Sequence, residues 1–72
     1  MDPIHIADIE KNKSEVIRIE ISEFKEKKYI NIRTWYRDKE TSELKPSQKG
    51  VAVNVDKYSL LKDAILKIEE FL

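Results

Sequence analysis

Phe24, Trp35 and Tyr36 stand among Lys25, Lys27, Lys28, Arg33, Arg37, Lys45 and Lys49, and this mixture of flat rings and cations is where the sequence has chemistry to offer. An unpaired nucleobase stacks on an aromatic face with about 1–3 kcal/mol. A lysine or arginine alongside neutralises the phosphate between two stacked bases. The 72-residue chain is neutral, with 14 basic and 14 acidic residues, yet the charge is uneven. Residues 24–49 carry 8 basic and 4 acidic side chains (+4), residues 1–23 carry 3 and 6 (−3), and residues 50–72 carry 3 and 4 (−1). A neutral protein does not attract polyanions over its whole surface, but a basic middle gives it one local anion-binding region. The same rings also suit a subunit contact or a place under a loop, since aromatics beside charges are common in packing.

Catalysis has far less to draw on. His5 is the single histidine and cysteine is absent, which removes disulfides, thiolate zinc sites and a histidine pair for a metal. One glycine is too few for a loop that cradles phosphate. Ser14, Ser22, Ser42, Ser47 and Ser59 are the available hydroxyl nucleophiles, and the only imidazole that could activate one sits near the terminus. The expectation is a protein that is not an enzyme and takes no cofactor and no metal.

The elements that must position the rings follow from periodicity. Ile17, Ile19 and Ile21 alternate with Arg18, Glu20 and Ser22, the period-two pattern of a strand with one apolar face. Phe24 falls with the polar set. Lys25 to Lys28 is a polar break of hairpin length without the Asn-Gly signature of a tight turn. Alternation resumes over residues 29–37, with Ile30, Ile32, Thr34 and Tyr36 on one face and Tyr29, Asn31, Arg33, Trp35 and Arg37 on the other. Asp38 to Glu43 reads as a mobile loop. Pro46 cannot donate to a sheet ladder and marks an edge or a bulge, and Gly50 permits a backbone angle that other residues resist. Val51 and Val53 continue a strand. Ile4, Ile6 and Ile9 suggest a further, loosely specified one.

Asn54 and Asp56 then suit the start of a helix. Tyr58, Leu61, Ile65, Ile68 and Leu72 form an apolar seam at three- and four-residue steps, with Leu60, Ala64 and Phe71 in a stripe beside it. A helix packed on one sheet needs only about a 100° stripe. This one is wider, so the seam is expected to meet the same helix of a second copy. Size points the same way: a chain this short buries only about 60% of the surface its unfolded form exposes. The fold class expected is α+β, with four antiparallel strands followed by one C-terminal helix that covers the isoleucine face and leaves the polar face open. Residues 1–72 form a single domain, divided into an N-terminal arm or strand (1–14), antiparallel strands (15–54) and a helix (55–72). No apolar run approaches the ~20 residues of a transmembrane helix and the N-terminus lacks a signal-peptide pattern, so the expected location is intracellular, in cytoplasm, nucleoid or nucleus.

Residues 15–72 resemble the C-terminal domain of the transcriptional positive cofactor four family. The likeness lies in Phe24-Lys25 ahead of a hairpin, in Ile30-Asn31-Ile32-Arg33-Thr34-Trp35-Tyr36, and in Lys45-Pro46-Ser47-Gln48-Lys49-Gly50-Val51. The two longer motifs, in this order and at this separation, are a fairly specific signal. The resemblance implies a curved four-stranded antiparallel sheet with one long helix, a homodimer joined through helices, and binding of single-stranded or melted DNA in transcription or on exposed strands in repair and replication. It places stacking aromatics at Phe24 and Tyr36 and groove cations at Lys27, Arg33, Lys45 and Lys49. Alternation favours Trp35 on the open face, whereas the resemblance favours Tyr36. This chain also has Trp35-Tyr36 where the family usually has tyrosine then tryptophan. It has Glu15, Ile17 and Ser22 where the family is basic, which implies fewer phosphate contacts and weaker binding.

The residues expected to bind nucleic acid are thus Phe24, Lys25, Lys27, Arg33, Trp35, Tyr36, Lys45 and Lys49, and those expected at a dimer interface are Tyr58, Leu61, Ile65, Ile68 and Leu72. Single-stranded RNA is the alternative ligand, because stacking does not read the sugar. A protein–protein module that has lost nucleic-acid binding is the alternative of another class. The partners expected are DNA, a second copy and the transcription machinery, with no membrane.

Overall fold

A computed structural model describes residues 2–72, so Met1 of the expected arm lies outside it. Four strands, β1 (Ile4–Glu10), β2 (Glu15–Phe24), β3 (Lys27–Arg37) and β4 (Leu44–Asn54), form one antiparallel meander in the order β1-β2-β3-β4. Each strand pairs with its neighbour in sequence, the arrangement that short polar connections dictate. A 3-10 turn (Val55–Lys57), helix α1 (Tyr58–Lys67) and a closing 3-10 turn (Ile68–Phe71) follow. The Asn54 side chain accepts a hydrogen bond from the Asp56 amide at 2.8 Å, so the expected cap closes the 3-10 turn that leads into α1.

Register sorts the side chains as the alternation requires. Ile21 lies opposite Ile30 and Ile4, and Ile30 opposite Val53; Ile19 lies opposite Ile32 and Ala7, and Ile32 opposite Val51. These rows form an isoleucine face. A bulge between His5 and Ala7 shifts β1 by one residue. Ile4 and Ile9, which strict alternation would send to opposite faces, are therefore brought to the same one. This is why the pattern of β1 looks loose in sequence.

The sequence leaves the β2–β3 turn type open, does not show the internal bonding of the loop after β3, and misses the reason for Gly50. The β2–β3 connection is a two-residue turn in which Lys25 (φ 51°) and Glu26 (φ 67°) both adopt left-handed backbone, the requirement of a type I′ hairpin turn met here without asparagine or glycine. Residues 38–43 form a turn held by hydrogen bonds of its own. Asp38 Oδ1 accepts from the Glu40 and Thr41 amides at 2.8 and 3.2 Å, while the Asp38 carbonyl accepts from the Ser42 amide at 2.9 Å. Gly50 has no positive φ. It is needed for closeness: a Cβ there would sit 2.8 Å from Arg33 Cβ, 2.8 Å from the Ile32 carbonyl oxygen and 2.9 Å from Arg33 Cα.

The expected helix-on-sheet layer is not formed within one chain. The 3-10 turn touches β3, and α1 itself has no comparable contact with any strand. Among the described residues only Ile30 and Thr34 are buried. Phe71 is 86% and Leu72 96% exposed, and Tyr58, Leu60, Ile65, Leu66 and Ile68 are exposed too. The chain measures 39 × 37 × 18 Å, a thin sheet with a projecting helix. A direct run from β4 into the turn leaves no connection long enough to fold α1 back across the isoleucine face.

Candidate nucleic-acid interface

Phe24 ends β2 opposite Lys27 and is 63% exposed. The left-handed backbone of the adjoining turn brings Lys25 Nζ to 5.4 Å from its ring centroid, within cation–π range. One aromatic face and two lysines thus share the tip of the β2–β3 hairpin.

Arg33 and Trp35 lie further along β3 on the same sheet face as Phe24 and Lys27, as alternation requires. Arg33 donates from Nη1 to the Ser47 carbonyl at 2.9 Å, which ties β3 to the basic stretch of β4. Ser47 also donates from Oγ to the Thr34 carbonyl at 2.8 Å and accepts from the Lys49 amide at 3.1 Å. Trp35 lies opposite Val16 and Pro46, with the Arg18 guanidinium 4.4 Å above its centroid. Its ring is therefore already stacked from one side.

Tyr36, Lys45 and Lys49 belong elsewhere. Tyr36 lies opposite Glu15 and Lys45, on the isoleucine face, and is 40% exposed. Lys45 Nζ is 2.9 Å from Asp38 Oδ2, and this hydrogen bond pushes the lysine pKa up and that of Asp38 down. Lys49 and Lys11 line a shallow concavity of about 370 Å³ together with Ile17, Ile32, Arg33, Thr34, Gly50 and Val51. Glu15 sits beside them with its pKa lowered, first by the Asn12 side-chain amide at 2.8 Å and then by Lys11 and Lys49.

The eight expected residues thus form two groups within one chain. Phe24, Lys25 and Lys27 sit at the hairpin tip, with Arg33 and Trp35 further along the same face; Tyr36, Lys45 and Lys49 are on the other face. Tyr36 lies nine positions beyond Lys27 along β3, roughly 30 Å of strand. Lys11 is not singled out by the sequence, and Arg18 is placed by it on the open face but given no binding role. Arg18 reads as one charge in an alternating run, and only the pairing of β2 with β3 reveals that it reaches Trp35. Among the described residues no group of three His, Cys, Asp or Glu side chains could hold a metal, and no helix is long and apolar enough to cross a membrane.

Residues 11–64 match the family model of the transcriptional coactivator p15 (PC4). That stretch contains all eight residues and most of the helix. The chain belongs to the PC4 family. It is 38% identical over 50 residues, 69% of its length and 40% of the relative, to a putative RNA polymerase II transcriptional coactivator of Caenorhabditis elegans. It is 37% identical over 67 residues, 93% of its length and 22% of the relative, to the RNA polymerase II transcriptional coactivator SUB1 of Saccharomyces cerevisiae. The chain therefore spans less than half of either coactivator.

Among solved structures, a PC4 homolog from Burkholderia pseudomallei superposes with a TM-score of 0.83 over 94% of this chain and 98% of that one. At 19% identity the two share the fold. A bacteriophage T5 homolog of PC4, implicated in recombination-dependent DNA replication, superposes at 0.75 with 27% identity, over 94% of this chain and 77% of that one. The PC4 fold in this chain is a four-stranded antiparallel sheet followed by a C-terminal helix.

Proposed function

We propose that this chain is a homodimeric module that binds single-stranded or melted DNA with little sequence preference and acts in transcription or on exposed single strands. The observation that carries this reading is the hairpin tip, where the exposed Phe24 ring stands with Lys25 at 5.4 Å and Lys27 opposite. A ring for a base and two cations for its flanking phosphates are the minimum that non-specific single-strand binding requires. Tyr36 with Lys45 and Lys49 is a second such set on the other face. The names of the curated relatives support a role in transcription, and that of the phage homolog supports work on DNA inside the cell.

The second copy accounts for the exposed helix. Isolated helices shorter than about 12–15 residues are marginal in water, and α1 has 10 residues with its apolar side chains largely in solvent. Tyr58, Leu61, Ile65, Ile68 and Leu72 form the dimer interface in this reading. Dimerisation also doubles the hairpin tips and Tyr36 rings available to a bound strand, where a single chain carries its rings roughly 30 Å apart along the strand and on opposite faces.

Anisotropy titration of a labelled strand of ~20 nucleotides at two salt concentrations tests the reading. Four cationic contacts, from Lys25, Lys27, Arg33 and Lys49, with Lys45 held by Asp38, give a slope of log K against log salt of about −2.8 for a single strand. Phe24→Ala and Tyr36→Ala each weaken binding about tenfold, the scale of one lost stack. A preference for duplex, or indifference to both substitutions, overturns it. Binding only to RNA of matched sequence moves the function to the alternative ligand.

A further inference from the structure

Asp8, Arg18, Arg33 and Gly50 occupy one cross-strand row on the open face. Arg18 donates from Nε to Asp8 Oδ1 at 2.8 Å and from Nη2 to Asp8 Oδ2 at 3.1 Å. This two-pronged geometry fixes the plane of a guanidinium as a single contact cannot. Asp8 is steadied in turn by His5, whose Nε2 lies 3.1 Å from Oδ1. Beneath the guanidinium is the Trp35 ring, 4.4 Å from Arg18 Cζ to the centroid. The group is thus held at its edge by a carboxylate and on one face by an indole.

With its edge on Asp8 and one face over Trp35, the Arg18 side chain still keeps 20% of its surface in solvent. The charge of Arg18 is matched by Asp8, and Glu20 adds negative potential nearby, so a phosphate gains little here. A flat, oriented and electrically compensated plate suits a nucleobase, since bases stack on arginine planes as they do on aromatic rings. We propose that Arg18, oriented by Asp8 and backed by Trp35, is a stacking platform for an unpaired nucleobase. Trp35 then serves as the layer beneath the platform. This rests on the nucleic-acid reading above and adds to it a residue and a mode of contact: Trp35–guanidinium–base, with β1 contributing through Asp8.

The test is the same titration with a labelled oligothymidylate of ~20 nucleotides, run with the full chain, Arg18→Lys, Asp8→Asn and Phe24→Ala across a salt series. Arg18→Lys keeps the charge and removes the plate, so it binds about tenfold more weakly with an unchanged salt slope. Asp8→Asn uncovers the charge of Arg18 and releases its edge, leaving the plane held by Trp35 alone, so the slope steepens by about 0.7, one further phosphate. Arg18→Lys binding as well as the parent while Phe24→Ala is weakened overturns the platform and leaves the broader function standing. Tighter binding by Arg18→Lys also overturns it, because the guanidinium is then a cover over Trp35. Should Arg18→Lys fail to fold, an Asp8→Asn slope equal to the parent's overturns the proposal independently. Absence of binding by the parent chain overturns both readings.

Discussion

Replacing Gly50 by alanine tests the close approach of β3 and β4 beside the basic stretch. The backbone at Gly50 has no positive φ, so alanine suffers no Ramachandran penalty there and gains about 0.4–1 kcal/mol by restricting the unfolded chain. Against this stands the added methyl, 2.8 Å from both Arg33 Cβ and the Ile32 carbonyl oxygen and 2.9 Å from Arg33 Cα. Carbon–carbon contacts settle near 3.5–4.0 Å, so the strands must part by roughly 0.7 Å or more, and two of the three obstructing atoms belong to the backbone. Overpacking of this kind costs about 1–3 kcal/mol, and the net result is a loss of about 1–2 kcal/mol. In a domain of this size that lowers Tm by roughly 4–8 °C per kcal/mol. Urea and thermal unfolding of Gly50→Ala and the parent at one protein concentration provide the assay, the fixed concentration being needed because a dimer's stability depends on it. The separation should also stretch the 2.9 Å bond from Arg33 to Ser47 and weaken DNA binding. A Gly50→Ala protein as stable as the parent, or more so, refutes the reasoning, since the entropic gain would then be unopposed.

Three further outcomes are expected. Glu26→Gly relieves a left-handed residue in the β2–β3 turn, a conformation that costs an L-residue roughly 1–2 kcal/mol; the urea midpoint should rise by the equivalent of about 0.5–1 kcal/mol, and a fall would contradict the turn assignment. The Asp8 carboxyl is held at about 2, below its ordinary 3.8, chiefly by the hydrogen bond from Arg18. Its contribution is complete above about pH 4 and is lost as pH falls toward 2. For so exposed a pair it amounts to less than about 1 kcal/mol, and comparing pH-dependent melts of the parent and Asp8→Asn should show that part of the acid sensitivity only in the parent. Ile65→Asp puts a charge in the exposed apolar seam; sedimentation at micromolar concentration should show the parent as a dimer and the variant as monomeric or unfolded, while a dimer persisting in the variant would count against association through α1.

The meander, its two faces and the start of the helix were legible in the sequence because period-two alternation and a capping asparagine are local signals. Ile17, Ile19 and Ile21 had to share a face wherever β2 was placed, and Phe24 and Trp35 had to share the opposite one. The register of β1 was not legible. A bulge is set by how two strands pair, and the spacing of Ile4, Ile6 and Ile9 makes sense only once Ile4 meets Ile21 and Ile9 meets Ile17. The role of Gly50 was misread for a similar reason, since closeness to Arg33 is a property of two strands and not of one residue.

The basic middle, the rings embedded in it and the likeness to the PC4 family follow from the order of residues alone, because composition and short-range spacing are carried by every copy of the chain, folded or not. Tertiary pairing decided the rest. It set Arg18 over Trp35 with Asp8 at its edge, brought Ile4 and Ile9 to one face, and left α1 standing clear of the sheet. Those outcomes depend on contacts between residues ten or more positions apart, whose geometry no local pattern encodes.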